Sequence, residues 1–352
     1  MLQEALRTIV AGKDLSREEA SALMEGLMCG EATDAQIGAL LVALRMKGES
    51  VAEIAGFATA MRSHAIVVDA SRTPLLDTCG TGGSSFKVFN VSTAAAFVAA
   101  SAGLAVAKHG NRAASGVCGS ADVLEALGVR LEITPEQCAE CIDTVGIGFL
   151  YARSHHPSMK HVSAARREIG VRTIFNFLGP LTNPAGATRQ LMGVYDAALC
   201  PVAIGALREL GSERAMVVHA DAGIDELSTF SRNRVCELRT GTITDRILEP
   251  GEIGFDGPKP DLKHLAPAPT PAANAQMLRE ALGEGAESAE STSRRGMVAL
   301  NAAAALRVGG IIDNWSEAVT LAREIIADGC ALQILERLIA LTASFAQDGK
   351  FS

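Results

Sequence analysis

Leu75-Leu76-Asp77-Thr78-Cys79-Gly80-Thr81-Gly82-Gly83 is a short apolar run that ends in a glycine-rich turn, and Asn90-Val91-Ser92-Thr93 soon opens an alanine-rich helix. A strand, a turn free of side chains and a helix N-terminus in succession are the start of an α/β pattern. From about Thr73 onward the alternation continues. Short apolar runs at Leu104 to Ala107, Val129 to Ile133, Ile147 to Tyr151 and Ala215 to His219 are separated by helical segments. Thr134-Pro135-Glu136-Gln137 starts one of those helices, with a cap, a first-turn proline and a capping-box partner. The fold predicted is α/β, with a central sheet flanked by helices.

Upstream of this region the pattern is helical only. Ser16…Glu19, Thr33…Gln36 and Ser50…Glu53 are capping boxes ahead of three apolar-periodic helices, and Gly30 and Gly48 stand where C-terminal caps belong. The sequence therefore divides into a small all-helical domain, residues 1–70, and a larger α/β domain, residues 71–352. Leu23, Leu27, Ile37, Leu40, Leu41 and Leu44 give the small helices more apolar face than they can cover alone. Another subunit or the α/β domain must cover it. Residues 155–200 interrupt the alternation with prolines and glycines, 250–275 read as a surface excursion, and the last 75 or so residues are mostly helical, with no internal repeat.

Composition narrows the function. A chain of 352 residues with net charge -8 and pI near 5.5 is a poor partner for nucleic acid or an anionic membrane. An anionic substrate must be held by a local cluster of cations and N–H groups. Cys138 and Cys141 form a C-x-x-C pair inside a predicted helix, with no second pair and no histidine at zinc spacing. Buried reduced thiols are the favoured reading there. No secretory leader pattern is present, and Val91 to Ala107 is too weakly apolar to span a bilayer. The expectation is a cytoplasmic enzyme.

The chemistry concentrates in three places. Gly80, Gly82 and Gly83 let backbone N–H groups converge on phosphate oxygens, although a tight strand-to-helix turn would look the same. Asn90, Ser92 and Thr93 suit plain helix capping, and beside a glycine turn they also suit a phosphate or a hydrated metal ion. Lys108-His109-Gly110-Asn111-Arg112 gathers two cations, an imidazole and a carboxamide around a glycine. Together these make a site for a heavily phosphorylated small molecule. The adjacent carboxylates Asp225-Glu226 read equally as a solvated loop or as a metal site.

The order and spacing of these blocks resemble the anthranilate phosphoribosyltransferases. The matching stretches are Gly80 to Gly83, Asn90 to Thr93, Lys108 to Ser115, Gly119 to Asp122, His156-Pro157, Arg172 to Asn176, Leu178 to Leu181 with Asn183-Pro184, and Asp225-Glu226. The resemblance implies a phosphoribosyl pyrophosphate site from Gly80, Gly82, Gly83, Ser84, Val88, Asn90, Val91, Ser92, Thr93, Lys108, His109, Gly110, Asn111, Arg112, Ala113, Ala114, Ser115, Gly116 and Ser120. It implies an anthranilate site from Gly80, His109, Asn111, His156 and Arg166. Ser92, Asp225 and Glu226 would hold magnesium (Mg2+), and Lys108 and Arg112 would stabilise the leaving pyrophosphate as catalytic residues. It further implies that part of 155–200 packs on the helical domain, and that two copies form a homodimer through that domain. The chain departs from the family pattern at Ser84-Ser85, where Asp-Gly is usual. Val88 replaces a hydroxyl residue, Gly116 a serine, Arg153 a common proline, and Ala164-Ala165 a Pro-Val pair. The rival expectations are a nucleoside phosphorylase on the related fold and a non-catalytic ligand-binding paralogue. Arg166, Asn111 and the Asp225-Glu226 pair favour the transferase.

Overall fold

The glycine-ended run becomes the middle strand of the sheet. The structure is a computed structural model that describes residues 2–113, 118–255 and 259–348, with side chains to 345. In it β1 (Leu75–Gly80) lies between β2 (Ala105–Gly110) and β4 (Arg189–Gly193). With β3 (Ile147–Tyr151), β5 (Arg214–Ala220), β6 (Asn233–Arg239) and β7 (Thr242–Leu248), the order is β3-β2-β1-β4-β5-β6-β7. The first five strands are parallel, and β6 and β7 add an antiparallel hairpin at one edge. Strand order reverses between β1 and β4, whose ends are level, with Gly80 opposite Gly193. That reversal opens a crevice at the carboxyl ends of the parallel strands, the usual ligand position in such sheets.

One face of the sheet is covered by α5 (Val91–Ser101), whose Ala94 to Ala100 run is entirely buried. It packs on α13 (Ala289–Val308) and α15 (Cys330–Asp348), with α12 (Pro271–Ala281) and α14 (Trp315–Ala327) beside them. The small side chains of α5 and α13 let these helices stack closely in one core. On the other face lie α7 (Pro135–Val145), with the predicted capping box formed at Thr134, and α11 (Leu199–Glu209). The connections α6 (Ser120–Ala126) and α8 (Ala152–His155) complete this half.

Residues 2–63 form four helices: α1 (Leu2–Val10), α2 (Arg17–Met28), α3 (Asp34–Lys47) and α4 (Val51–Ser63). All three capping boxes are present with both of their hydrogen bonds. Glu53 does more than cap. Fully buried, it accepts from Ser50 N, Leu15 N and Lys47 Nζ, tying three segments together. Later in the chain, α9 (Lys160–Ile169) and α10 (Phe175–Leu178) return to this unit, and their Val162, Ala165, Phe175 and Leu178 share its core. Leu23, Leu27, Ile37, Leu40, Leu41 and Leu44 are each no more than 2 % exposed in the single chain. Their cover thus comes from within the chain, and they leave no apolar face to drive association. What remains exposed is smaller: Val10, Val42 and Met46 on α1 and α3.

Four sequence expectations are corrected. Val129 to Ile133 is not a strand; Val129 and Leu131 are buried in alternation, but the segment pairs with no sheet neighbour and instead Arg130 N donates to Thr342 Oγ1. Strands β4, β6 and β7 went unread, because Arg189-Gln190 opens β4 with polar residues and β7 is mostly exposed. The helical region holds four helices, since α1 starts without a capping box. Residues 250–275 are not a simple surface excursion either. Ile253 and Leu265 are fully buried, and Leu265 O accepts Phe89 N–H just ahead of α5. Among the described residues no helix is long and apolar enough to cross a membrane.

Candidate active site

The strand ends at the crevice bring the glycine turn and the carboxylate pair into contact. A Cβ on Gly80 would lie 2.7 Å from Asp225 Oδ2, and one on Gly193 only 1.5 Å from the Asp225 carbonyl oxygen. The loop after β5 therefore lies directly on β1 and β4, and glycine is the one residue that allows it. Gly82 N donates to Asp225 Oδ2 at 2.9 Å, with Gly82 and Gly83 both at positive φ. The Ser84 hydroxyl donates to Asp225 Oδ1 and accepts from Asp225 N at 2.9 Å. Ser84, a departure from the family pattern, is thus the clamp that orients this carboxylate.

Beneath them lies a buried charge network. Lys108 is 2 % exposed and donates from Nζ to Thr78 O at 2.5 Å. Burial lowers its pKa, opposed by Asp77 and Glu226. Asp77, fully buried, is raised to about 6 by burial, against the pull of Lys108 and of the hydrogen bonds from Asn183 and His109. Glu226 is pushed well above the usual carboxylate range, first by burial and then by the charge of Asp225. Its Oε2 is buried with no hydrogen-bond partner among the described residues. Two neighbouring carboxyls with an orphaned buried oxygen fit a hard divalent cation, which removes both the repulsion and the missing bond. The Ser92 carbonyl accepts Thr78 Oγ1 at 3.0 Å, placing the α5 N-terminus against the same strand end.

The capping role open to Asn90 is not the one it takes. Its side chain makes no cap hydrogen bond and instead donates from Nδ2 to Cys118 O at 3.3 Å. The Thr93 hydroxyl is buried and unpartnered among the described residues. Val91 is buried in the core and Val88 packs at its edge. The first turn of α5 consequently keeps its dipole and lacks a side-chain cap.

Arg112 differs from its expected role. Its guanidinium is held by Glu125 at 2.7 and 2.9 Å, by Asp122 at 3.1 Å and by the Tyr151 hydroxyl at 3.2 Å. These carboxylates raise its pKa and balance its charge, so Lys108 is the cation at the crevice floor. The turn is built around Asp122, which also accepts Ala113 N and Gly119 N. Asn111 Oδ1 accepts Arg112 N, and Ser120 Oγ lies where a Cβ on Gly110 would clash, at 2.3 Å. Ala114, Ser115 and Gly116 lie outside the described residues.

On the other side of β2 lie two neutral imidazoles. His109 Nδ1 lies 3.2 Å from Gly179 O, and a carbonyl can only accept, so Nδ1 carries the proton and Nε2 presents a lone pair. His156 packs 5.2 Å away, centroid to centroid. Burial pushes His109 down to about 3 and His156 down to about 4, each helped by neighbouring histidines. Both Nε2 atoms are buried and unpartnered among the described residues. Arg166 stacks over Phe175 at 4.9 Å with its pKa lowered by burial, and no carboxylate pairs with it among the described residues. Sequence reasoning missed Arg172. Its guanidinium donates to Gly83 O and stacks 4.4 Å over Tyr195, whose N–H bonds Thr81 Oγ1. Nothing local marks Arg172; only its place in the block 172 to 176 hinted at it.

Residues 3–65 match the helical bundle domain of a glycosyl transferase family, and residues 72–332 match that family's a/b domain. The anthranilate phosphoribosyltransferase of Alkaliphilus metalliredigens is 46 % identical over 342 residues, covering 97 % of this chain and 98 % of the relative. The crystal structure of the Thermus thermophilus anthranilate phosphoribosyltransferase superposes with a TM-score of 0.88 at 44 % identity, covering 96 % of this chain and 99 % of that one. The Saccharomyces cerevisiae enzyme in complex with PRPP and Mg gives 0.87 at 27 % identity, over 97 % and 98 % of the two chains. The same yeast enzyme in complex with 4-fluoroanthranilate gives 0.85 at 26 %, with equal coverage. The chain belongs to the anthranilate phosphoribosyltransferases of the glycosyl transferase family.

The two imidazoles carry a pH signature. Their folded pKa values lie below the unfolded value of 6.5, so the unfolded chain binds protons that the folded chain refuses. Stability is therefore fully present above pH 6.5 and drains as pH falls towards 4. The slope expected is up to about 1.4 kcal/mol per pH unit for each ring. Urea unfolding between pH 7 and 4 should give His109→Gln/His156→Gln a shallower acid limb than the parent; parallel limbs would mean that the rings are charged in the folded state. Asp77 titrates in both proteins and cancels in the difference.

Proposed function

We propose that this protein transfers the 5-phosphoribosyl group of phosphoribosyl pyrophosphate to the amino nitrogen of anthranilate, giving N-(5-phosphoribosyl)anthranilate and pyrophosphate in tryptophan biosynthesis. The observation that carries the reading is Arg166, a largely buried guanidinium on an aromatic ring with no carboxylate partner among the described residues. A planar cation of this kind pairs a carboxylate through two parallel hydrogen bonds. The same segment supplies Phe175 and Gly179, and Gly179 fixes the tautomer of His109. The lone pair on His109 Nε2 would accept an N–H bond of an aryl amine and orient its nitrogen, with His156 and Asn111 beside it.

The phosphorylated substrate belongs on the other side of β2. Glycine-turn N–H groups, the α5 N-terminus and Lys108 would hold its phosphates. The bond between the anomeric carbon and the pyrophosphate oxygen breaks, a carbon–nitrogen bond forms, and one amine proton leaves. An aryl amine is neutral at pH 7, so attack needs no strong base. Positive charge grows at the anomeric carbon while negative charge grows on pyrophosphate, and Lys108 and the turn amides stabilise the latter. Asp225 and Glu226, with Ser92 nearby, would hold magnesium, which supplies charge neutralisation for the pyrophosphate. Orienting the amine contributes the proximity term. Arg112 would join only by leaving Glu125.

We also infer a homodimer joined through the helical unit, taken as residues 1–70 with part of 155–200. Exposed Val10, Val42 and Met46 on α1 and α3 support it. Eight free cysteines suit a reducing, cytoplasmic setting.

Following anthranilate fluorescence with phosphoribosyl pyrophosphate and magnesium tests the activity itself. Arg166→Ala should raise KM for anthranilate while leaving that for phosphoribosyl pyrophosphate unchanged. Losing such a charged bond costs about 1.5–3 kcal/mol. Equal weakening of both substrates would remove Arg166 from the acceptor site. Asp225→Asn with Glu226→Gln should abolish most turnover and flatten its magnesium dependence, and a normal magnesium titration would place the metal elsewhere. For assembly, light scattering at micromolar concentration should give about twice the single-chain 36.6 kDa; the single-chain mass would rule the dimer out.

A further inference from the structure

A second cluster of ligating side chains lies on the helical unit, away from the crevice. Helices α2 and α4 run parallel, as the contacts Leu15 to Glu53 and Glu25 to His64 require. Their register is fixed at Gly56, where a Cβ would meet the Arg17 carbonyl oxygen at 2.3 Å and Ala20 Cβ at 2.8 Å. The two helices consequently end side by side, with Cys29 and His64 as their C-terminal caps. Glu25 is one helical turn before Cys29 and on the same face. The ligand atoms of Glu25, Cys29 and His64 all lie within 4.8 Å of one another, and His64 Nε2 is 2.7 Å from Glu25 Oε1.

The electrostatics of the place favour a cation independently of those side chains. Two helix C-termini converge there, each carrying partial negative charge on unpaired carbonyls. The last turn of α2 has no basic residue, and Arg62 in the last turn of α4 is turned away to donate to Leu181 O at 2.8 Å. Glu25 and Cys29 are exposed and His64 is partly so, which leaves a path for entry. His161 stands against Gly30 and closes one side.

We propose that Glu25, Cys29 and His64 form a binding site for a divalent cation of the zinc class. The geometry needs little change. Zinc bonds of about 2.0–2.3 Å in a tetrahedron place ligand atoms roughly 3.3–3.8 Å apart, within reach of small rotations of these side chains. The donor set decides the class. A thiolate and an imidazole select zinc or a similar borderline metal, whereas magnesium takes oxygen ligands. The site is therefore distinct in chemistry from the one at Asp225 and Glu226. His64 Nε2 rests on Glu25 Oε1, and in the occupied site a water would complete the fourth position. Occupied, it staples the ends of α2 and α4.

Cobalt(II) titration of the reduced, metal-stripped, full-length protein tests this. A thiolate-to-cobalt charge-transfer band should grow to one equivalent and vanish on adding zinc. Cys29→Ser should abolish the band. His64→Ala and Glu25→Gln should each weaken binding at least about tenfold, the loss that even an outer-shell partner causes. Zinc should raise the Tm of the parent and not of Cys29→Ser. Magnesium-dependent transferase activity should be equal in all four proteins, which shows that each is folded. No band at stoichiometric cobalt, or a band that survives in Cys29→Ser, would overturn the proposal.

Discussion

A single buried carboxylate, Asp77, joins the sheet, the crevice and the helical unit. One of its oxygens accepts His109 N from β2, and the other accepts Asn183 Nδ2, which also bonds Ala107 O. The strap through Asn183 holds residues 173–184 across the ends of β1 and β2. That segment carries Phe175, Phe177, Leu178 and Leu181 into the core of the helices, and it brings Gly179 O to His109. A charge at such depth is tolerated only with a counter-charge and saturated hydrogen bonds. Lys108 supplies the first, while Asn183 and the His109 amide supply the second.

Among the described residues Asp77, Asp225 and Glu226 share one buried lysine, Lys108, and burial, with the charge of Asp225 added to it, raises the Glu226 carboxyl. In the proposed reaction a cation held by Asp225 and Glu226 would offset the charge of that pair. On the proposed acceptor side the balance is reversed, with Arg166 lacking an anion among the described residues and two imidazoles kept neutral by burial. The proposed reaction assigns the two halves opposite ligands: metal with polyphosphate on one side, a carboxylate bearing an uncharged amine on the other. A net charge of -8 is no obstacle to such substrates, because the attraction is local.

Much of this was legible in the sequence because it is written in short-range chemistry. Capping boxes at Ser16, Thr33, Ser50 and Thr134 announce their helices through side chains three residues apart, and each one forms. Strands β1, β2, β3 and β5 each contain a buried apolar run, so they stand out. Strands β4 and β7 start polar or lie exposed, and their strand character comes from neighbours. Val129 to Leu131 shows the converse, since alternate burial without a pairing partner makes no strand. Side-chain partners were least legible of all. Arg112 lies ten residues before Asp122 and thirteen before Glu125, and only the fold reveals that they neutralise it. Arg172 reaches Gly83 across 89 positions, a separation no local pattern encodes.

The departures from the family pattern acquire a physical reading at Ser84. A carboxylate there would be a fourth acidic group in a crevice that already holds Asp77, Asp225 and Glu226. A hydroxyl instead both donates to Asp225 and accepts from its amide, fixing the carboxylate that lies on Gly80 and Gly193. Val88 packs on the edge of the core, so its lost hydroxyl is replaced by apolar contact and leaves no orphaned polar group. Both changes alter how the ligand-holding groups are supported and leave Lys108, Asp225, Glu226 and Arg166 in place. The proposed chemistry rests on those four side chains, and their supports can vary as long as the glycines beneath Asp225 do not.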